Sequence, residues 1–275
     1  MATSFWNSSG STWAAASFTP AGVPAANGHI FVPANASQDI ESGAATPLDY
    51  DSFVTADEST IDVGSSGTPC KIQADEIDLR GRGDVYIKHD YDTANNWVTD
   101  RFIIRPSNPE AKIVVTSDEG AANEITLFQI LSGDVEISMA GTIPSVMVSR
   151  RRDVSPTKVV LTASCGALAN LEVAYGKVVA RNAVTMARVH AGASFIYTTG
   201  VLTAATIAGH MEYTSPNNIA TLHALPGSTL DFTRATTTDG DVITITDLFY
   251  WEGSTILGLD NNVTVTNPHR MDGIA

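Results

Sequence analysis

The chain has 275 residues, 43% of them hydrophobic and 17% charged, with a net charge of −14. A chain of this length and apolar content builds a large core and is not a disordered polymer, and no run approaches the ~20 apolar residues of a membrane-spanning helix. So acidic a surface repels phosphate backbones and anionic membranes, which excludes nucleic acid and membrane from the expected partners.

The first segment, 1–28, reads as an N-terminal arm rich in Ser, Ala, Gly and Pro. No Asp, Glu, Lys or Arg occurs before Asp39. Phe5, Trp6, Trp13 and Phe18 are spaced along it, and a pure linker lacks such rings. Two roles fit: docking on an apolar surface of a neighbour, or capping the end of the chain's own core. The opening MATSFWNSSGSTW has neither a basic n-region nor an apolar h-region, so no secretory leader is expected.

The body, 29–275, opens on the strand Gly28-His29-Ile30-Phe31-Val32 and from Ile61 onward reads as many short strands. Segments such as KIVVTS, EITLFQI, KVVLTA, SFIYTTG and DVITIT alternate Val, Ile, Thr, Phe or Tyr with polar residues, as half-buried strands do. Gly, Asn, Asp and Pro punctuate them. Ala183 to Ala191 is the nearest helix candidate, but Val184, Thr185, Val189 and the flanking glycines favour strand. The expected class is all-β.

One phrase recurs: glycine, a small polar residue, then alternating apolar residues. It begins at Gly83, Gly133, Gly192, Gly227, Gly240 and Gly253. Glycine allows a sharp corner, and the residues after it point alternately inward. Units of this kind stacked in sequence predict a parallel β-helix, each coil burying its face on the next. A β-sandwich or jelly roll is the alternative. The spacing is irregular: glycines 227, 240 and 253 stand thirteen apart, but 83, 133 and 192 do not. Between Val189 and Leu230 the only charged residue is Glu212, which suggests a face covered by a partner chain, as in a homotrimer.

Chemistry-bearing patterns are sparse. Sequence-neighbouring carboxylates on strands face opposite ways, so only pairs such as Asp49 with Asp51 or Glu76 with Asp78 share a face. The His89-Asp90-Tyr91-Asp92 stretch departs from a calcium loop at Ala94 and Arg101. The six histidines show no zinc spacing. No phosphate-binding or nucleophile-elbow motif stands in context, and Ser164-Cys165-Gly166 reads as a β-turn. Arg82-Gly83-Asp84 spells an integrin tripeptide but falls on the turn phrase. Three N-x-S/T patterns, at Asn7, Asn35 and Asn262, carry no weight without a leader. Cys70 and Cys165 read as buried free thiols of a reducing cytoplasm. The expectation is a protein that is not an enzyme and holds neither metal nor cofactor. Arg150-Arg151-Arg152, the one dense basic cluster, reads as a solvated loop or an anchor for an acidic neighbour.

Several stretches together resemble a diffuse set of tailed-bacteriophage virion proteins. They include spaced Trp6 and Trp13, Val23-Pro24, Gly28-His29-Ile30-Phe31-Val32-Pro33 and Asp39-Ile40-Glu41-Ser42-Gly43. Near the other end are Asn218-Ile219-Ala220-Thr221-Leu222, Gly227-Ser228-Thr229-Leu230-Asp231-Phe232 and Val263-Thr264-Val265-Thr266-Asn267. The resemblance implies a β-helical virion component, often trimeric, made in the host cytoplasm. Its expected role is a cement or decoration protein on the major capsid protein at the head surface. It transfers no catalytic residue. Phe5, Trp6, Trp13, Phe18 and Arg150, Arg151 and Arg152 are the expected shell contacts. The rival expectations are a receptor-binding tail fibre or spike, which an exposed aromatic row would favour, and a β-helical polysaccharide-degrading enzyme.

Overall fold

The computed structural model describes residues 2–7, 13, 17–41, 50–89, 98–117, 124–141, 143–150, 157–235, 242–259 and 263–271. Its strands are β1 (Thr3–Trp6), β2 (Phe18–Thr19), β3 (His29–Val32), β4 (Tyr50–Thr55), β5 (Cys70–Ile72), β6 (Ala74–Leu79), β7 (Val85–His89) and β8 (Val98–Ile104). Then come β9 (Lys112–Ser117), β10 (Glu124–Ile130), β11 (Asp134–Ser138), β12 (Ile143–Val148), β13 (Lys158–Leu161), β14 (Leu168–Val173), β15 (Lys177–Ala180) and β16 (Val184–Val189). The last are β17 (Ser194–Tyr197), β18 (Leu202–Ile207), β19 (His210–Tyr213), β20 (Ile219–Ala224), β21 (Thr229–Asp231), β22 (Ile243–Trp251), β23 (Thr255–Leu257) and β24 (Val263–Met271).

From β5 on, the chain alternates between two sheets, one strand in each per coil. Sheet A has 14 strands and sheet B has 10, and every strand pair is parallel except β1 with β2. This is a parallel β-solenoid of about 10 turns with essentially no helix, as the glycine phrase predicts.

The burial pattern explains the shape. The six-residue strands β14, β16, β18 and β20 bury their first, fourth and sixth residues. The four-residue strands β13, β15, β17 and β19 bury their second and fourth. Inward side chains of one strand sit in register on those of the next. Phe102 and Phe128 stack with ring centroids 5.1 Å apart. Tyr197 and Tyr213 stack at 5.6 Å on sheet B. Volume is traded between the sheets. Coils with aromatic Phe102 and Phe128 on sheet A carry Ile113, Val115, Val135 and Ile137 on sheet B. Those with Ala187 and Ala205 on sheet A carry Phe195, Tyr197 and Tyr213. Close packing at constant density demands this exchange. The Tyr hydroxyls are satisfied at the next corner: Tyr197 donates to the Asn182 carbonyl at 2.8 Å and Tyr213 to that of Asn217 at 2.5 Å.

At the corner before sheet B, three carboxylates act as backbone caps. Asp39 accepts the Asp62 N–H at 2.8 Å, Asp62 the Asp84 N–H at 2.7 Å, and Asp84 the Lys112 N–H at 2.8 Å. The coil repeat is 16 residues from Val173 to Val189, 18 to Ile207, 17 to Ala224 and 26 to Tyr250. Gly227 and Gly253 have φ of +79° and +82° and open successive sheet B strands. The thirteen-residue step is therefore no coil: 227 and 253 are one coil apart, and Gly240 lies outside the described residues.

β1 pairs in parallel with β3, extending sheet A by one strand. The span Val189 to Leu230 turns most of its apolar side chains inward, Ile196 on the outer side of sheet B being an exception. What it shows to solvent is hydroxyl or small, as at Thr203, Thr206, Ala220 and Thr221, together with exposed Val201. Its neutrality thus arises from threonine and alanine, and does not by itself require a covering chain.

Candidate functional site

Strand parity divides the N-terminal aromatics. Trp6 and Phe18 are fully buried, and Trp13 packs against both, with centroids 6.3 and 5.1 Å away. Trp6 Nε1 donates to the Gln38 carbonyl at 3.0 Å. These three rings close the N-terminal end of the core over Tyr50. Phe5 points the other way. It is 44% exposed and meets Phe31 edge-on at 5.8 Å. With Val54 and Arg80 these two rings line a shallow groove of about 320 Å³ on the outer face of sheet A. Among the expected aromatic contacts Phe5 is exposed, Trp13 is half-buried, and Trp6 and Phe18 are buried.

Arg150 is exposed, and its guanidinium lies 5.2 Å from the centre of the Tyr175 ring, a cation–π distance. Arg151 and Arg152 lie outside the described residues.

Two other groupings come together that the sequence pairs only loosely. Asp78, on the outer side of sheet A, is 1% exposed beneath Arg80 and Arg105. Arg105 donates to both of its oxygens at 2.9 and 2.6 Å, and Arg80 donates twice to Oδ2 at 2.8 and 2.6 Å. Burial pushes this carboxyl up, and the hydrogen bonds and charges of Arg105 and Arg80 outweigh burial, so its pKa falls below the ordinary value. Glu76, its expected partner across one residue, faces Arg101 at 3.7 Å instead. Asp49 is outside the described residues.

The second grouping is Ser52, His29 and Asp51. Ser52 Oγ lies 2.9 Å from His29 Nδ1, and Asp51 Oδ2 lies 3.8 Å from Nε2. Those residue types can make an activated nucleophile. Here the 3.8 Å separation is too long for the hydrogen bond that orients the imidazole. The neighbouring N–H groups serve the sheet: the Asp51 N–H donates to the Gly28 carbonyl at 3.0 Å, and β3 and β4 pair in register. Such donors are not turned toward a developing oxyanion.

The remaining motifs are absorbed by the fold. Arg82 pairs with Glu58 at 2.8 Å and Asp84 caps Lys112, so the tripeptide is a solenoid corner. His89 is fully buried against Thr99 at 3.0 Å, and residues 90–97 are outside the described set. Cys70 and Cys165 are buried free thiols. Burial raises both pKa values, that of Cys165 to about 11, which makes them poor nucleophiles. No cluster of three or more potential metal ligands occurs among the described residues.

Two features of the surface are not read from the sequence above. On sheet A, His223, Phe249 and His269 stack in register at 4.6 and 4.4 Å, with interplanar angles of 9° and 13°. On sheet B stand all five lysines of the chain: Lys71, Lys88, Lys112, Lys158 and Lys177. The sheet B strands hold these five against the four carboxylates of Asp134, Glu136, Glu212 and Asp231, a net charge of +1. The sheet A strands hold eight carboxylates against three arginines, a net charge of −5. The signal is visible in the text as the opener Lys-Ile-Val-Val, Lys-Val-Val-Leu and Lys-Val-Val-Ala at 112, 158 and 177.

Comparison with protein-family models, with curated proteins and with solved structures gives no match.

Proposed function

We propose that this chain is a structural, non-catalytic component of a bacteriophage particle. In this reading it is a cement or decoration protein that binds the major capsid protein on the outside of the head, as a homotrimer, and stabilises the shell. The observation that carries the reading is the unbroken core. One hydrophobic cluster runs from Trp6 to Val263 through every coil, so the body is a stiff rod with little ordering entropy to lose on binding. A rigid body that binds only the assembled shell stabilises that shell by mass action. The acidic surface and the sequence resemblance are consistent with this role.

The test uses heads with and without the chain. Heads that carry it should resist heating to a higher temperature before releasing DNA, and adding back purified protein should restore the difference. Equal release temperatures would remove the cementing role.

A second reading, a receptor-binding tail component, draws on the row His223, Phe249 and His269. Sugars stack on the faces of aromatic rings. The middle ring, Phe249, spends both faces on the two histidines, which is why we place this reading second. Specific retention on a glycan array, lost in Phe249→Ala, would reverse that order.

A further inference from the structure

We propose that the outer face of sheet B is the docking surface, and that its partner is a protein surface bearing Asp and Glu beside apolar groups. This rests on the cementing role and names the face that performs it.

The first support is the placement of like charges. Lys158 stands in register beside Lys177. Neighbouring strands are about 4.8 Å apart, and like charges opposite one another destabilise a sheet. The chain has 30 carboxylate residues with which to separate its 16 basic ones. On this row Asp84 and Asp134 flank Lys112, and Asp134 reaches Lys158 Nζ at 3.6 Å, but no carboxylate stands between Lys158 and Lys177. Lys177 makes no ion pair among the described residues. A local conflict retained in an otherwise consistent fold marks a place where something outside the chain completes the arrangement.

The second support is what lies beside the lysines. Val160, Val179 and Ile196 follow one another in register on the outer side, partly exposed. Lysines alone would suit any polyanion. An apolar stripe beside them, bounded in register by Glu136 and Glu212, needs apolar cover, which a protein surface supplies and a phosphate or sulfate chain does not. The net charge of −14 opposes a polyanion at long range, whereas carboxylates on a protein meet the lysines at short range. Sheet A, at −5, would be repelled by the same partner, so the two faces orient the molecule as it approaches.

Lysine acetylation with an N-hydroxysuccinimide ester reads this face directly, because no lysine lies elsewhere. The free protein and the particle-bound protein are labelled and compared by mass spectrometry. Lys112, Lys158 and Lys177 should lose reactivity severalfold on binding, and a carbodiimide should join them to Asp or Glu of the shell protein. The double variant Lys158→Gln with Lys177→Gln, which removes the charges without adding a carboxylate beside Asp134, should bind particles about tenfold more weakly, with a melting temperature close to that of the wild type as free protein. Bound protein whose lysines react as freely as in solution overturns the proposal and leaves the cementing role intact, as does full binding by the double variant. Absence of the chain from particles removes the cementing role and this face with it. Carbodiimide links between two copies of the chain at these lysines, with mass photometry showing oligomers at low salt, would assign the face to self-association and overturn the partner named here.

Discussion

The amide N–H of Gly227 donates to the carbonyl oxygen of Gly253 at 3.0 Å. Two copies of one sequence phrase are thus stacked, one coil above the other, at the same corner. At Gly227 an added Cβ would meet nothing within 4 Å, so its requirement is conformational alone. At Gly200, with φ of +88°, a Cβ would also strike the Asn182 carbonyl. Gly227→Val should therefore cost about 1–2 kcal/mol, and Gly200→Val more than that. Chemical denaturation midpoints check the order. Equal costs would show that the Gly200 contact relaxes away.

Asp78 gives the protein an acid-sensitive point. Its folded pKa is lowered, so its contribution is present above the unfolded value of about 3.9 and is lost as pH falls through the folded one. Asp78→Asn should destabilise at pH 7 by about 2–3 kcal/mol. That is below the usual cost of breaking a buried pair, because the two arginines are each one-third exposed. The gap between wild type and variant should narrow as pH drops below about 4. A gap independent of pH would mean that the charge is not what matters.

The N-terminal rings should separate by parity. Trp6→Ala empties a buried site and should cost about 3–5 kcal/mol. Phe5→Ala, on the exposed side of the same strand, should cost less than about 1 kcal/mol. Deleting residues 1–38 should lower the melting temperature of the body, since it uncovers Tyr50 and the core below. An unchanged melting temperature would mean that the segment does not cap the core.

The oligomeric state is open to a direct measurement. The proposed homotrimer, in solution or once bound to the shell, predicts a mass near three times 29.0 kDa by mass photometry of protein released gently from particles. A monomer both free and released would remove it.

The fold was legible because its signals are local. Alternation marks each strand, and glycine marks the corner before sheet B. The register was not, because successive coils of 16, 18, 17 and 26 residues differ only in corners that carry no periodic signal. The phrase at Gly240 is followed in sequence by β22, a strand of sheet A. The fate of Trp6 turns on a single residue of parity, with Phe5 outside and Trp6 inside, which composition cannot report. The lysine face has the same character. Each Lys-Val-Val opener is plain in the text, but that Lys158 and Lys177 are neighbours follows only from the stacking of β13 on β15. Likewise Asp78 meets Arg105 across 27 positions.

The central claim is a place on a particle, and electron microscopy of intact particles with antibody against this chain tests it most directly. The account predicts label on the outer surface of the head, at regular positions, and loss of that label when the chain is removed. Label on the tail, or on no part of the particle, would contradict it.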